Sequence, residues 1–424
     1  MLSFQPLPAT DPAHRPPPRF ADRAHAMVPS ETRALFSMAA RDDVVSLAGG
    51  MPSPDALPVA ALGAVLGDVI AAEGTSALQY GSAQGDPQLR EQVCAVMAAE
   101  GVEASPDDVL VTMGSQQALD LVTRVFVNPG DSVVTEGPTY VTALSTFAAH
   151  QARVVEVAMD AHGVVPQALA DTFALLAAEG RPAAFYYTVP TFQNPTGRVL
   201  GAERRREVVE VCRRAGVLIV EDNPYGLLHF DAEPQRALCA DAPEGVVYLG
   251  SFSKTLAPGL RVGWVRAPRT VTDKLVLAAE SAMLSHSQLA QRAVSRFLTT
   301  TSWRGHIDAA RALYRDRRDA MLAELAATMP DGVSWTVPAG GFFVWLTLPE
   351  GVDARAMLPR AVEGGVAYVP GTGFHTRGGE RHLRLSYSYP SVSRVGEGVR
   401  RLSDVVRAET ARGRAARPVE AMAR

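Results

Sequence analysis

The chain has 424 residues, a formal net charge of −4 and a hydrophobic content of 47%. This length predicts two domains, because single hydrophobic cores stop growing at about 250–300 residues. The mildly acidic balance argues against nucleic-acid and anionic-membrane partners. Neither a signal peptide nor an apolar run long enough to span a bilayer is evident, so we expect a cytoplasmic protein.

Short β-branched runs alternate with helically spaced segments between about residues 105 and 270. From 116 to 126, for example, the apolar positions share one face of a helix. The sequence from about 271 to 328 predicts helix, and two further predicted strands follow it. The predicted strands are VLVTM (109–113), SVVTE (132–136), RVVEV (153–157), AFYYTV (184–189), VLIVE (217–221), VVYLG (246–250), RVGWV (261–265), FFVWLTL (342–348) and HLRLSYS (382–388).

Strand–helix alternation predicts an α/β fold whose large domain has a mostly parallel seven-stranded sheet sandwiched by helices. RVGWV follows VVYLG too closely for a helical crossover, so we expect it to pair antiparallel. The two late strands lie outside the alternation. They predict a smaller α+β domain, built from both chain ends.

The cysteines and histidines of the chain do not indicate a metal site. The three cysteines, Cys94, Cys212 and Cys239, are odd in number and widely spaced, which predicts reduced thiols rather than a disulfide framework. The nine histidines include no His-x-x-x-His pair with a metal-binding neighbour, so we expect no metal.

An anion site is predicted at the carboxyl ends of the strands, where open α/β sheets bind ligands. Gly114-Ser115-Gln116-Gln117 opens a helix directly after the strand at 109–113, and free N–H groups at a helix N-terminus attract anions. Ser251 and Ser253 follow the strand at 246–250, and Arg261 comes shortly after them. Together these groups suit a phosphate.

A carboxylate and an amine follow neighbouring strands at the same edge. Asp222 follows the strand at 217–221, and Lys254 lies three residues after Ser251. With the anion site they suit pyridoxal phosphate (PLP), whose aldehyde bonds a lysine and whose ring nitrogen needs a carboxylate to stay protonated. Taken singly, Lys254 could be a solvated surface residue and Asp222 the cap of a turn, so the prediction depends on their convergence.

Seven motifs, in order, resemble fold-type I PLP-dependent enzymes of the class I/II aminotransferase family, and within it the 2-aminoadipate, kynurenine and aromatic aminotransferase group. The resemblance covers about residues 28–405. Each motif alone is weak, and their shared order makes the likeness specific. The motifs are SLAGGMPSP (46–54), QYGSAQGDPQLR (79–90), GSQQALDL (114–121), FQNPTG (192–197), EDNPY (221–225), SFSKTLAPGLRVGW (251–264) and LRLSYS (383–388).

The resemblance implies roles for the residues that contact the cofactor. Lys254 forms the Schiff base and later shuttles the proton, and Asp222 pairs with the ring nitrogen. Asn194 and Tyr225 bond the ring oxygen and tune the Schiff base, and Tyr140 stacks on the ring. The implied phosphate ligands are Ser115, Gln116, Ser251, Ser253 and Arg261.

The resemblance also implies a substrate site and a homodimer. Arg384 binds the substrate α-carboxylate beside Asn194, a task that suits a planar guanidinium, and Gly50 lets the backbone approach the same group. Arg33 matches an arginine that meets a side-chain carboxylate, although a solvated helix arginine is an equal alternative. Tyr80 reaches the phosphate of the neighbouring subunit, so that the dimer completes each site.

Composition and the resemblance together divide the chain into five parts. Residues 1–27 are a proline-rich lead, expected to be extended or disordered. Residues 28–58 belong to the small domain and the active site, 59–300 form the large PLP-binding domain, and 301–410 form the rest of the small domain. Residues 411–424 are expected to form a flexible tail.

The implied function is reversible transfer of an α-amino group between an L-amino acid (aromatic, aminoadipate-like or otherwise bulky) and a 2-oxo acid such as 2-oxoglutarate or pyruvate, in amino-acid biosynthesis. Another PLP reaction at Cα, by a lyase, decarboxylase or oxidase, stays open. A PLP-binding sensor fused to a DNA-binding domain is disfavoured, since only about 28 residues precede the family region. Residues 251–254 also fit the Ser-x-x-Lys pattern of serine acylases, but the accompanying Lys-Thr-Gly and Ser-Asp-Asn elements do not occur.

Overall fold

A computed structural model of the chain describes residues 19–25, 43–231 and 234–421. The strands are β1 Val45–Ser46, β2 Val109–Thr112, β3 Ser132–Gly137, β4 Arg153–Asp160, β5 Gly163–Val164, β6 Ala183–Thr188, β7 Leu218–Asp222, β8 Val246–Ser251, β9 Gly263–Arg266, β10 Ser334–Trp335, β11 Phe343–Thr347, β12 Val366–Ala367, β13 Val369–Pro370 and β14 His382–Ser386. The α-helices are α1 Asp22–His25, α2 Val59–Ala77, α3 Pro87–Met97, α4 Ser115–Phe126, α5 Val141–Ala149, α6 Pro166–Ala178, α7 Ala202–Ala215, α8 Leu238–Asp241, α9 Arg269–Met283, α10 Gln288–Thr300, α11 Trp303–Thr328, α12 Ala354–Glu363 and α13 Val392–Ala421.

The main sheet contains eight strands among the described residues, in the order β2-β9-β8-β7-β6-β3-β4-β5. The neighbours from β8 to β4 pair in parallel. β9 pairs antiparallel with both β2 and β8, as predicted for RVGWV. The sequence predicted seven strands, and the eighth, β5, is a two-residue antiparallel edge strand that is too short to show an alternating pattern.

Apolar side chains fill both faces of this sheet. Along β2, Val109 and Val111 face one core and Leu110 faces the other, because successive side chains of a strand point to opposite sides. β2, β8 and β9 are buried along their whole length, which is typical of a sheet covered on both faces. This packing fixes the strand ends, where the predicted ligand-binding residues lie.

A second unit combines residues from both ends of the described chain. β10, β11, β14 and β13 form an antiparallel sheet, and β1 pairs in parallel with β12, with Val45 opposite Val366. Leu47, Phe342 and Leu385 share one core with residues of α11, α12 and α13. The predicted α+β unit built from both chain ends is therefore confirmed, whereas the residue boundaries of the domains stay predictions.

One helix in the described part of the chain, α2, could cross a membrane by length and composition alone. The sequence analysis did not find it, because Asp68 and Glu73 interrupt an alanine- and glycine-rich run. In the structure, Val65 and Val69 pack in a core of the main sheet, and Glu73 forms an ion pair with Arg292 of α10. These contacts attach α2 to the large unit.

The expected C-terminal tail, 411–424, begins inside α13. The helical backbone continues to Ala421. Alanine and arginine are common in this segment and both favour helix. The flexibility of the tail stays a prediction.

Candidate active site

A cavity of about 230 Å³ lies at the carboxyl ends of the parallel strands, between the main sheet and the second unit. Its walls come from the turns after β6, β7 and β8, from the first residues of α4 and α5, and from β11 and β14. The residues predicted from the sequence that line it are Gly50, Ser115, Tyr140, Asn194, Asp222, Tyr225, Lys254 and Arg384.

Lys254 lies in the turn after β8 and lines the cavity. Its Nζ donates to the backbone oxygen of Gly50 at 2.9 Å. Burial and the positive charges of Arg384 and Arg261 lower the pKa of Lys254 to about 8, while the carboxylate of Asp222 opposes the shift. A fraction of the Lys254 amine is therefore neutral near pH 7, and only the neutral amine can act as a nucleophile or a base.

Asp222 ends β7 with a carboxylate that is 4% exposed. Its Oδ2 accepts a hydrogen bond from the Tyr187 hydroxyl at 2.8 Å, whereas Oδ1 is buried and accepts none from the described residues. Burial raises the pKa of Asp222 to about 6, and the Tyr187 hydrogen bond and the Lys254 charge oppose the rise. Buried polar atoms normally have a partner, so the free oxygen fits a ligand that donates an N–H.

The predicted anion site forms where α4 begins. Gly114 precedes the helix with φ of 81°, and no described side chain caps the first N–H groups. Arg261 donates to the Met113 carbonyl at 2.6 Å and to Ser253 Oγ at 3.4 Å, and Ser251 Oγ donates to Ser253 Oγ at 2.9 Å. A Cβ at position 114 would lie 2.8 Å from Arg261 Nη2, so glycine lets the guanidinium approach the helix start. These donors suit a phosphate.

The side chain of Gln116 does not belong to this donor set. Its Nε2 donates to Thr146 Oγ1 of α5 at 2.7 Å. The phosphate contact predicted for Gln116 stays a prediction: one residue into the helix, the side chain is rotated toward the neighbouring helix. Its backbone N–H still belongs to the unpaired first turn.

Arg384 carries a buried guanidinium, 3% exposed, into the cavity from β14. Nη1 donates to Asn194 Oδ1 at 2.8 Å and Nη2 to the Ala48 carbonyl at 2.7 Å. The rings of Phe343 and Phe374 lie 4.1 Å and 5.0 Å from its Cζ. Burial lowers the pKa of Arg384 to about 10.

The partners of Arg384 within the described residues are neutral oxygens, not carboxylates. Nε is buried and donates to none of them. Among the described residues, Arg384 therefore pairs with no acidic side chain. A desolvated guanidinium without a counter-charge fits the carboxylate of a ligand, which it can bind with two parallel hydrogen bonds.

The remaining predicted residues surround the same cavity. Tyr140 is the N-cap residue of α5, and Tyr225, 3% exposed, packs edge-on against Phe343 with ring centroids 5.9 Å apart. A Cβ at Gly50 would lie 2.8 Å from Phe343 Cζ, so only glycine lets this backbone pass the ring without displacing it.

Tyr80 does not line the cavity within the described subunit. Tyr80 is 75% exposed, and the next residue, Gly81, donates its N–H to Ser285 Oγ at 3.4 Å. Arg33 lies outside the described residues. The roles assigned to both stay predictions.

The sequence matches the family model for aminotransferase class I and II over residues 42–402. It is 40% identical over 393 residues to aromatic-amino-acid aminotransferase 1 of Thermococcus litoralis, spanning 92% of this chain and 94% of that protein. It is 37% identical over 388 residues to the 2-aminoadipate transaminase of Thermus thermophilus, spanning 90% and 95%. The crystal structure of the Pyrococcus horikoshii kynurenine aminotransferase is similar with a TM-score of 0.88 at 38% identity, covering 92% of this chain and 97% of that chain.

The chain belongs to the class I and II aminotransferase family. This aminotransferase uses pyridoxal phosphate as its cofactor. The residues present fit that group: the free Oδ1 of Asp222 suits a protonated ring nitrogen, Lys254 suits an aldehyde, and the start of α4 with Arg261 suits the phosphate. The family resemblance predicted from the sequence motifs is confirmed.

Sequence reasoning missed several residues that build the aminotransferase site. Met51, Val141 and Phe343 line the cavity, Phe374 packs on Arg384, and Tyr187 holds Asp222. A signal for Phe343 was present in the glycine pair directly before FFVWLTL, since paired glycines often mark close backbone packing. Tyr187 gave no such signal, because an aromatic residue in a buried strand is ordinarily part of the core.

Proposed function

We propose that this aminotransferase moves the α-amino group of an L-amino acid with an aromatic, aminoadipate-like or other bulky side chain to a 2-oxo acid, such as 2-oxoglutarate or pyruvate, and catalyses the reverse transfer. One observation carries the proposal: a single cavity holds the amine of Lys254, whose pKa is lowered, the Asp222 carboxylate and the Arg384 guanidinium. Among the described residues, Asp222 Oδ1 accepts no hydrogen bond and Arg384 pairs with no acid. Similar proteins named for aromatic amino acids and 2-aminoadipate support the substrate class.

Each of these groups has a separate task. When bound, PLP supplies an aldehyde and a protonated ring that withdraws electrons from the substrate Cα. Lys254 would hold the aldehyde of the cofactor, and its amine would accept the proton from Cα. Asp222 keeps the ring nitrogen protonated. Arg384, held by Asn194, fixes the α-carboxylate and so orients the bond that breaks.

The wall available to the substrate side chain is largely apolar. Met51, Val141 and Phe343 contribute to it, and the cations that line the cavity within the described residues are Lys254 and Arg384. Both are engaged by the cofactor and the α-carboxylate in this scheme, so the described wall favours aromatic or branched side chains. Acceptance of a side-chain carboxylate would then depend on Arg33.

We further propose a cytoplasmic homodimer whose interface includes Tyr80. Leu78, Tyr80 and Leu284 are 68%, 75% and 54% exposed, and the hydrogen bond from Gly81 to Ser285 places their segments side by side. Neighbouring exposed apolar side chains of this size are typical of an interaction surface. The free thiols Cys94, Cys212 and Cys239 suit a reducing compartment.

The covalent role of Lys254 can be tested cleanly, because the chain contains two lysines, Lys254 and Lys274. Lys274 is exposed on α9. Borohydride reduction of the holoenzyme should fix the cofactor on the Lys254 peptide, Lys254→Arg should abolish both label and turnover, and Lys274→Arg should change neither. A label on Lys274, or substantial turnover by Lys254→Arg, contradicts the proposal.

The reaction and the substrate class are tested with an amino-acid panel. With 2-oxoglutarate as acceptor, aromatic and 2-aminoadipate-like donors should give the matching 2-oxo acid. Release of CO2 or free ammonia instead would identify a decarboxylase or a lyase. Arg33→Ala should raise KM for donors with a side-chain carboxylate and leave aromatic donors unchanged if Arg33 selects the side chain.

A further inference from the structure

Glu136 connects two turns of the site without lining the cavity itself. It lies near the end of β3, is 2% exposed, and stands before the turn that carries Tyr140. Its Oε1 accepts from Thr188 Oγ1 at 2.8 Å, and its Oε2 accepts from Gln193 Nε2 at 3.0 Å. The same Gln193 amide donates to the Pro138 carbonyl at 2.7 Å. One carboxylate thus bonds the glutamine that joins the Tyr140 turn to the Asn194 turn.

The Gln193 side chain continues the connection toward the substrate cation. Its Oε1 accepts from the backbone N–H and the hydroxyl of Thr196, at 3.0 Å and 2.5 Å. Asn194 lies between these two residues in the chain, and its Oδ1 accepts from Arg384 Nη1 at 2.8 Å. Because both Nε2 and Oε1 of Gln193 form hydrogen bonds, the amide cannot rotate without breaking several of them. These bonds fix the backbone on each side of Asn194.

Glu136 forms no salt bridge with a cation among the residues described. Its hydrogen-bond partners are hydroxyl and amide donors. Burial raises the pKa of Glu136 to about 7, and the hydrogen bonds from Thr188 and Gln193 oppose the rise. All its partners donate, so the carboxylate is the acceptor that this site uses.

We propose that Glu136 is a positioning residue of this aminotransferase, which through Gln193 fixes Asn194 against Arg384 and fixes the turn that bears Tyr140. The inference rests on the proposed roles of Arg384 and Tyr140. It differs from a purely structural role, because a structural acid would change stability without changing the binding of cofactor or substrate.

The test compares Glu136→Ala with Glu136→Gln in the full chain. Glu136→Ala removes the acceptor of the Gln193 amide, so it should raise KM for the amino acid and the dissociation constant of PLP by about tenfold, which corresponds to about 1.4 kcal/mol. Glu136→Gln still accepts from Gln193 and can donate to Thr188, so both constants should stay within about threefold of the wild-type values. The dissociation constant is measured by fluorescence titration of the cofactor-free chain, which does not depend on turnover.

Glu221 supplies the matched control. It is equally buried, lies on β7, and accepts from the backbone N–H groups of Leu238 and Cys239, outside the cavity. Glu221→Gln should lower the melting temperature and leave KM and the PLP dissociation constant unchanged. Should Glu136→Ala not fold, Gln193→Met removes the same link from the other side and should give the same tenfold changes.

The outcomes separate this inference from the proposed function. Wild-type protein that takes up no cofactor at Lys254 refutes the proposed function, and the inference with it. Wild-type protein labelled at Lys254, together with unchanged KM and PLP affinity in Glu136→Ala or in Gln193→Met, overturns the inference alone. Equal changes in Glu221→Gln would also overturn it, because they would show a general effect of buried acids.

Discussion

The hydrogen bond from Tyr187 to Asp222 gives a prediction that can be worked out in numbers. Tyr187→Phe deletes one hydroxyl that donates at 2.8 Å to a buried carboxylate. A hydrogen bond to a charged group contributes about 1.5–3 kcal/mol, and one pKa unit corresponds to about 1.4 kcal/mol. The pKa of Asp222, about 6 in the cofactor-free chain, should therefore rise by about one to two units in the variant.

The consequence for cofactor binding depends on pH. PLP with a protonated ring nitrogen needs Asp222 ionised, so binding must first remove any proton that Asp222 carries. At pH 7 the variant should bind PLP about two- to tenfold more weakly than the wild type, and above pH 8.5 the two should become nearly equal. The assay is the PLP dissociation constant of the cofactor-free chain between pH 6 and 9, and the expected result is a midpoint shifted upward by about one to two pH units.

Tyr186→Phe is the matched control for this experiment. Tyr186 is the neighbouring buried ring on β6, packs in the core on the opposite face of the sheet, and its hydroxyl makes no hydrogen bond with Asp222. Its midpoint should coincide with that of the wild type. The reasoning is refuted if Tyr187→Phe also shows the wild-type midpoint, or if both tyrosine variants shift equally.

Three further predictions follow from the geometry. Arg384→Lys replaces a guanidinium that can form two parallel hydrogen bonds with a carboxylate, so KM for both the amino acid and the 2-oxo acid should rise about ten- to a hundredfold. Arg381 donates to the Leu348 carbonyl instead, so Arg381→Lys should leave both KM values unchanged. The pKa of Lys254 is about 8 in the folded chain, against 10.5 for an ordinary lysine. Between pH 8 and 10.5 the unfolded chain therefore binds more protons than the folded chain. Stability of the cofactor-free protein should therefore rise across that pH window by about 3 kcal/mol in denaturant titrations, and Lys254→Met should lack this rise. Gly250→Ala would place a Cβ 2.2 Å from the indole ring of Trp264, so it should lower the unfolding free energy by about 1–3 kcal/mol. At Gly245 the nearest atom to a new Cβ would be 3.9 Å away, so Gly245→Ala should leave the melting temperature almost unchanged.

The sequence predicted the strand ends well because two local rules suffice there. Alternation of apolar residues locates each strand, and the parallel arrangement brings the residues after the strands to one edge. The sequence alone therefore places Asp222 and Lys254 at the same edge of the sheet. The antiparallel pairing of β9 followed in the same way, from the short connection after β8.

Side-chain partners could not be predicted by the same rules. The Tyr187–Asp222 and Glu136–Gln193 hydrogen bonds join residues that are 35 and 57 positions apart, and periodicity gives the face of a residue but not its partner across the sheet. The side-chain direction of Gln116 could not be predicted for a related reason. Its motif predicts a helix N-terminus, but the direction of the side chain depends on Thr146 of another helix.

Arg384 comes late in the chain, whereas the residues proposed to hold the cofactor within one subunit lie between Ser115 and Arg261. During synthesis on a ribosome, the proposed cofactor-binding residues are therefore made before the arginine proposed to bind the amino acid. The segment that carries Gly50 also depends on residues that are synthesised late, because β1, which precedes it, pairs with β12. An mRNA truncated shortly before the codons for β14 would encode a chain that contains Lys254 and Asp222 but lacks Arg384, the residue proposed to bind the amino acid.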